Sequence, residues 1–362
     1  MRILAVDIGM GTQDILLFDS SKLLENCVQM VMPSPTTIVA NKIYQATARH
    51  HPILLSGVTM GGGPSKWALT QHTTAGLAAY ATVEAALTFN DDLEVVKGMG
   101  VTILAPDEVP RITDLEVIEL KDVDLGAIRR CLDAFGVEDC IDALSIAVLD
   151  HGFAPGISNR LFRFDHLRKV LTKKRGLLAF CYLAEEVPDY LTRMKSVVKG
   201  VGVDIPLLLI DTGVAAILGA LQDEEVTQHN HLLIVNIGNG HTIAFHLFDD
   251  LIEGLFEHHT RHVNAAIIDS LIIKLAQGVL TNEEIYSAGG HGALVFNGDK
   301  QKPFIAITGP RHDLMSGSSL QSHRAVPHGN IMLTGCYGLI KACALRMAPW
   351  HEEIEHALIR RT

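Results

Sequence analysis

Two short glycine-rich turns constrain this chain more than any other feature. The first is Asp7-Ile8-Gly9-Met10-Gly11-Thr12-Gln13 and the second is Asn236-Ile237-Gly238-Asn239-Gly240-His241-Thr242. Each ends an apolar strand, and each runs straight into more β-type sequence, DILLFD after the first and IAFHLF after the second. In a doubly wound nucleotide fold the first glycine turn opens a helix. Here both turns must instead sit at the tips of β-hairpins. Glycine at these positions lets the backbone approach a ligand and turn N–H groups toward it, which suits phosphate oxygens. Thr12 and Thr242 add hydroxyl donors, and Asp7 is placed to orient Mg²⁺ through water, since hard cations take oxygen ligands. A plain tight turn accounts for one such hairpin, but poorly for two that share a pattern.

The sequence around them alternates strand and helix patterns, so the class is α/β. Strands are expected at Arg2–Ile8, Asp14–Phe18, Pro52–Val58, Val101–Leu104, Leu115–Leu120, Ala143–Leu149, Pro206–Ile210, Leu232–Ile237, Thr242–Phe248, Ile252–Glu257 and Phe304–Thr308. Several are apolar at consecutive positions, as strands covered on both faces are. Helices are expected at Thr73–Thr88, Leu125–Phe135, Val187–Lys199, Gly213–Leu221, His262–Gln277 and Ile331–Met347. In the fifth, Val263, Ile267, Leu271 and Leu275 form one stripe with Ile268 and Ile272 beside it. From Trp350 the chain carries acidic residues early and Arg360 and Arg361 late, which reads as a docked terminal helix. Ser287–Pro303, with its GGHGA and NGDK runs, reads as a flexible or inserted loop.

Composition narrows the function classes. The 362 residues are 48% hydrophobic and 20% charged, which gives ample apolar surface for a core. Thirty Lys and Arg against 41 Asp and Glu leave a net charge of −11, so no cationic field draws a nucleic-acid backbone. The apolar run Ile3–Val6 is too short for a secretory signal. Leu207–Leu221, broken by Asp211, falls short of the ~20 residues a membrane span needs. The six cysteines, 27, 131, 140, 181, 336 and 343, are scattered, with the closest pair seven apart. There is no CxxC and no CxxxCxxC of the kind that holds an iron–sulfur cluster. The expectation is a cytoplasmic protein without iron–sulfur cluster, haem or flavin, and without nucleic-acid or membrane partners.

The order of motifs resembles the superfamily of actin, the heat-shock chaperone ATPases, and the acetate and sugar kinases. Its members have two similar α/β lobes that close on ATP, each contributing a phosphate hairpin. Asp7–Gln13 resembles the first hairpin and Asn236–Thr242 the second. Asp211-Thr-Gly-Val-Ala-Ala resembles the connecting helix that precedes the second hairpin. Thr308-Gly309-Pro310-Arg311 resembles the adenosine motif, and Gly329–Ala342 the final connecting helix. The resemblance spans nearly the whole chain. It implies two actin-like (ribonuclease H-like) lobes with an ATP cleft between them. The first would be 1–222, completed by 331–362, and the second 223–330. Ala215 and Gly219, with Gly335, Gly338 and Ala342, are small faces that would let the two connecting helices cross closely as a pivot. One departure is Asn236, where related kinases and ATPases carry Asp. A neutral amide still coordinates Mg²⁺-bound water but adds no charge.

Phosphoryl transfer is largely positioning and charge neutralisation, with one carboxylate to take a proton or orient water. Asp211 ends an apolar strand and begins a helix, so it is either that base or an N-cap. The resemblance assigns Gly9, Gly11, Thr12, Gln13, Gly238, Asn239, Gly240, His241 and Thr242 to phosphate, Asp7 and Asn236 to Mg²⁺ through water, and Thr308, Gly309, Pro310 and Arg311 to the nucleotide. Substrate candidates are Gly61, Gly62 and Gly63, ahead of a helix start, and Asp150 and His151, at a strand end. His258 and His259 are further candidates, in a His258–His262 cluster that would share a metal if helical. The expected function is Mg-ATP-dependent phosphoryl transfer to a small molecule. An ATPase acting by conformational change on a protein client, or a catalytically weak nucleotide or metabolite binder, are the alternatives.

Overall fold

The computed structural model describes residues 1–105, 108, 114–138, 140–202, 204–298 and 302–359. Among these residues sixteen strands, numbered in chain order, form three sheets. The first runs β3 (Val28–Pro33), β2 (Thr12–Asp19), β1 (Arg2–Ile8), β8 (Ala143–Val148), β10 (Leu207–Ile210), β9 (Cys181–Leu183). The second runs β14 (Gly292–Val295), β13 (Leu251–His259), β12 (His241–Phe248), β11 (His231–Ile237), β15 (Phe304–Thr308), β16 (His323–Arg324). The third is all parallel, β6 (Val101–Leu104), β5 (Ala79–Thr82), β4 (Ile53–Gly57), β7 (Glu116–Leu120), and is inserted between β3 and β8.

The first two sheets repeat one another. Each starts with an antiparallel meander of three strands, β1-β2-β3 or β11-β12-β13. Two later strands then join the free edge of the first, parallel to it: β8 and β10, or β15 and β16. This duplicated α/β unit, with a hairpin opening each copy, is the actin-like architecture.

Among the described residues twelve helices complete it: α1 (Pro35–Ala48), α2 (Gly63–Thr74), α3 (Val83–Ala86), α4 (Leu93–Gly98), α5 (Leu125–Ala134), α6 (Asn159–Lys173), α7 (Thr192–Val201), α8 (Thr212–Ala220), α9 (Ala265–Ala276), α10 (Asn282–Ser287), α11 (Thr334–Arg346) and α12 (His351–Ile359). Side chains alternate across each strand, and the cores follow. Ile3 and Ala5 of β1 share one core with Leu232 and Ile234 of β11, and with Val214, Ile217 and Leu218 of α8 and Leu339 and Ile340 of α11. Leu4, Val6 and Ile8 face the other way, onto α5 and α7, while Leu233, Val235 and Ile237 face α9. So α8 and α11 lie between the two sheets. They cross at backbone contact: a Cβ on Gly219 would lie 1.8 Å from the Thr334 carbonyl, and one on Gly338 1.8 Å from the Ala215 carbonyl. The inserted sheet has its own core with α1 and α2.

Several expectations need correction. The helix expected over Thr73–Thr88 is instead the end of α2, then β5, then α3. Gly76, at φ +77°, stops α2, and alternating Ala79 and Ala81 are buried in the parallel sheet. Helix α9 starts at Ala265 because Asn264 caps it, accepting from the Ile267 amide at 3.0 Å. Its buried stripe is Ile268, Leu271, Ile272 and Leu275, and Ile267 is 40% exposed. The segment read as a loop from Ser287 contains β14, paired with β13, while residues 299–301 and 360–362 lie outside the described residues. Among the described residues no single helix is long and apolar enough to cross a membrane. The bent pair Ile331–Arg346 and Ala348–Ile359 passes on length and composition alone, and most of α11 is buried core.

Because the crossing leaves no space for a methyl group, Gly219→Ala and Gly338→Ala should each destabilise the protein by about 3 kcal/mol, the upper end for an overpacked core. Denaturant unfolding checks this; a loss under about 0.5 kcal/mol in both would contradict the crossing.

Candidate functional site

The two hairpin turns are built alike and meet tip to tip. Gly9 N–H donates to the Thr12 carbonyl at 2.9 Å, and Gly238 N–H to the His241 carbonyl at 2.9 Å. In the first turn, the Ser34 amide and hydroxyl bond the Gly11 and Met10 carbonyls at 3.0 and 2.7 Å, so the tip is fixed by the start of α1. In the second, the Thr260 amide and hydroxyl bond the Gly240 and Gly238 carbonyls at 2.9 and 2.8 Å, and Thr242 and Thr260 share a 3.1 Å hydroxyl contact. Between the tips, Asn239 lies against Gly11 and Met10 against Gly240: a Cβ on Gly11 would stand 2.6 Å from the Asn239 amide, and one on Gly240 3.2 Å from the Met10 sulfur. A Cβ on Gly63, at the start of α2, would stand 3.2 Å from the Met10 side chain as well. The strand end before Gly309 backs the second hairpin. Gly309, at φ +96°, packs on Asn236 and the Ile237 carbonyl, and Arg311 N–H donates to that carbonyl at 3.0 Å. A 3-10 turn, His312–Gly317, follows it.

Behind the first tip, Asp7 and Asp14 are cross-strand partners. Thr212 Oγ1 donates to Asp7 Oδ1 at 2.5 Å. Gly335 of α11 makes room for the other oxygen: a Cβ there would lie 1.9 Å from it. Burial pushes the Asp7 carboxyl up to about 7, with the Thr212 hydroxyl pulling the other way. Burial and then the charge of Asp7 push Asp14 up to about 8. Asp14 Oδ1 is buried with no hydrogen-bond partner. An orphaned carboxylate oxygen beside a second carboxyl fits a hydrated cation. Asn236 occupies the corresponding place in the second hairpin but faces Ile243, so no such pair exists there.

From α8 the site continues into a buried ion network. Arg163 of α6 is 1% exposed. Its Nη1 donates to Asp211 Oδ2 at 2.7 Å, and its Nε to Glu257 Oε2 at 2.6 Å. Asp211 Oδ1 accepts from Gly213 N–H at 3.0 Å, so this aspartate caps α8 and is ion-paired at once. Burial opposes the charge on Glu257, but the Arg163 guanidinium holds its carboxyl below the usual range. Next to Glu257 lie three rings, His151 after β8, His241 opening β12, and His291 before β14. His151 Nε2 and His291 Nε2 are 3.0 Å apart. Burial and neighbouring cationic groups keep His151 and His291 well below the usual imidazole range, and His241 below it, so the rings are neutral near pH 7.

The structure therefore gathers Asp7, the hairpin glycines, Gly63, Thr308–Arg311, Asp211, His241 and His151 around one junction. It places others elsewhere or differently. Asp150 is buried with its carboxylate taken by the Gly152 and Met194 amides at 2.8 and 2.9 Å, so it stabilises the chain locally and faces no ligand. Gly61 packs on Arg193, which holds Asp122 through two bonds. His258 and His262 are not on a helix: one is in β13, the other in a 3-10 turn, with ring centroids 6.2 Å apart. His258 is buried and its Nδ1 meets the His259 carbonyl. His259 packs against His291 and His241, at 4.7 and 5.0 Å between centroids. A separate groove of about 350 Å³, lined by Gly57, Lys121, Arg129 and Gly200 among others, shares no residue with either cluster. Sequence reasoning missed Arg163, Glu257 and His291. The available signals were a Glu inside the apolar strand LFEHH and a His framed by glycines in GGHGA.

Removing one partner of a buried ion pair leaves an uncompensated charge. Arg163→Met should cost about 3–5 kcal/mol in unfolding at pH 7, and less in acid, where Glu257 protonates. Asp14→Asn should act in the opposite direction. A carboxyl whose folded pKa is raised loses folding stability as pH climbs from about 4 to about 8. The variant should therefore be more stable than wild type at pH 8, on the order of 2–4 kcal/mol, with the gain vanishing toward pH 4.

A search of curated proteins finds no match to the sequence. Solved structures that resemble the chain include a ROK hexokinase from Thermus thermophilus, at 12% identity over 96% of this chain and 100% of that one, TM-score 0.34. A second is the ethanolamine utilization protein EutJ from Carboxydothermus hydrogenoformans, at 12% identity over 94% and 89%, TM-score 0.33. A third is a ROK family glucokinase from Streptomyces griseus, at 11% identity over 95% and 99%, TM-score 0.33. The actin-like assignment rests on the duplicated sheet order and not on these superpositions. The family model described as "Putative pyruvate format-lyase activating enzyme (DUF1786)" matches residues 60–314, and the chain belongs to that family.

Proposed function

We propose that this chain is an actin-like nucleotide-binding protein that takes Mg-ATP between its hairpins and transfers a phosphoryl group to a small molecule. The observation that carries this reading is the tip-to-tip meeting of two identically closed glycine turns, Met10–Gly11 against Asn239–Gly240. In this reading residues 1–222 with 331–362 form one lobe and 223–330 the other. The hairpin amides take phosphate oxygens, Asp7 and Asn236 hold Mg²⁺ through water, and Thr308–Arg311 flank the nucleotide. Gly63, at the start of α2, borders the substrate with His151. The ion would supply charge neutralisation at the transferred phosphoryl group. Because Met10 and Asn239 fill the gap between the tips, nucleotide enters only when the lobes part about the α8–α11 crossing. Asp211 has both oxygens engaged, so it serves as general base only in a state where Arg163 has released it.

A second reading follows from that lock. Arg163 joins Asp211, beside the first hairpin, to Glu257 in the second sheet. A nucleotide that parts the lobes and breaks this bridge would drive a conformational ATPase acting on a protein client, and the family description speaks of an activating enzyme. A phosphorylated metabolite in the products identifies the kinase. Hydrolysis stimulated by a partner, with no such product, identifies the ATPase.

Thermal-shift titration with Mg-ATP should stabilise the protein by about 2.7 kcal/mol at a hundredfold excess over Kd. Gly11→Val and Gly240→Val should abolish the shift, and unchanged binding in both would overturn the proposal. Since Asp7 must lose its proton to face a cation, and its carboxyl sits at about 7, Mg-ATP affinity should rise up to ~10-fold from pH 6 to pH 8. Asp7→Asn should flatten that profile; calorimetry at the two pH values decides.

A further inference from the structure

We propose that His151, His241 and His291 form a binding site for one divalent transition-metal ion of the zinc type, with Glu257 as the carboxylate behind it. Among the described residues these three are the group of metal-capable side chains whose ligand atoms all lie within 4.8 Å of one another. For a tetrahedral ion with metal–nitrogen bonds of 2.0–2.1 Å, ligand nitrogens stand about 3.3 Å apart. His151 Nε2 and His291 Nε2, at 3.0 Å, already hold that spacing.

The polar atoms left over support a missing ion. Two neutral rings that face each other through Nε2 can share only one proton between them. Meanwhile His291 Nδ1 and Glu257 Oε1 are buried without a hydrogen-bond partner, although His291 is 1% exposed and Glu257 0%. Orphaned buried groups of this kind are costly and rare. Metal on Nε2 resolves both faults. It fixes the ring protons on Nδ1, and the Nδ1 atoms of His291 and of His241 each lie 3.7 Å from Glu257 Oε1. A small ring rotation toward the ion turns those contacts into hydrogen bonds, giving the carboxylate–histidine–metal arrangement that orients imidazole ligands. The other oxygen of Glu257 is fixed by Arg163 at 2.6 Å, so the carboxylate cannot turn away.

Ligand chemistry selects the ion. Imidazole nitrogens suit zinc, cobalt, nickel, copper and iron, whereas Mg²⁺ and Ca²⁺ take oxygen ligands. Three protein ligands leave the fourth tetrahedral position for water or a substrate oxygen, as in catalytic rather than closed structural sites. The ligands come from both sheets, His151 following β8 and the other two flanking β12 and β14, so a bound ion would tie the lobes together. None of this depends on nucleotide binding.

The test uses the full-length protein, stripped with chelator and titrated with Zn²⁺ by calorimetry without nucleotide; Co²⁺ serves as a visible-absorption reporter. One ion per chain is expected, with the d–d absorption of tetrahedral cobalt and no competition from millimolar Mg²⁺. His291→Ala and His151→Ala should each weaken Zn²⁺ binding at least 100-fold, and Glu257→Gln about 10–100-fold. Circular dichroism checks folding, and if His291→Ala fails to fold, His151→Ala, on a less buried ring, decides alone. No saturable binding by wild type, or affinity retained within about threefold in His151→Ala, would overturn the site.

Discussion

The rest of the structure depends on how closely α8 and α11 cross. Gly219 and Gly338 put the two helix backbones in contact, each glycine against a carbonyl of the other helix. With side chains there, the helices could not both fit between the two sheets and still share one core with Ile3, Ala5, Leu232 and Ile234. The crossing also sets the chemistry. The start of α8 delivers Thr212 to Asp7 and Asp211 to Arg163, while Gly335 of α11 leaves a space for the Asp7 carboxylate.

Charge is buried in two contrasting ways at the junction. Around Arg163 the cation sits between two carboxylates at hydrogen-bond distance, and burial is tolerated because the pairing is close. Around Asp7 and Asp14, among the described residues, no ion pair neutralises the carboxyls. Two carboxyls face each other across neighbouring strands, both are pushed upward, and one oxygen has no partner. Folding alone gives no reason to keep such a pair, because an amide at either position would remove the repulsion. Perturbed titratable groups of this kind cluster at functional sites.

Much of the frame was legible in the sequence because its strands are apolar on consecutive residues. Arg2–Ile8, Val101–Leu104 and Phe304–Thr308 are strands over the very residues expected. Elements whose inward face carries polar groups were not legible. Helix α6 buries Arg163 and His166 along with Phe164 and Leu167, so its apolar stripe is interrupted by the charges that matter most. Helix α2 and strand β5 were merged because alanines and threonines fit either period, and only Gly76 separates them. The hairpins were found because glycine spacing is local. Their meeting, and the gathering of His151, His241 and His291 from three distant segments, depends on sheet pairing that no local pattern encodes.

The two copies of the fold have diverged at equivalent points, and the divergence is itself informative. The first hairpin sets Asp7 opposite Asp14, and the second sets Asn236 opposite Ile243. An isoleucine removes the like-charge repulsion, and the neutral amide packs on Gly309 without titrating. The second copy therefore carries no buried carboxyl at its hairpin. It carries one on β13 instead, where Glu257 lies among imidazoles and is neutralised by Arg163 from the first copy. Oxygen donors thus cluster at one hairpin and nitrogen donors beside the other. Hard and borderline cations sort between such sets by ligand chemistry alone, so a duplicated scaffold with this asymmetry can keep two different ions apart within one junction.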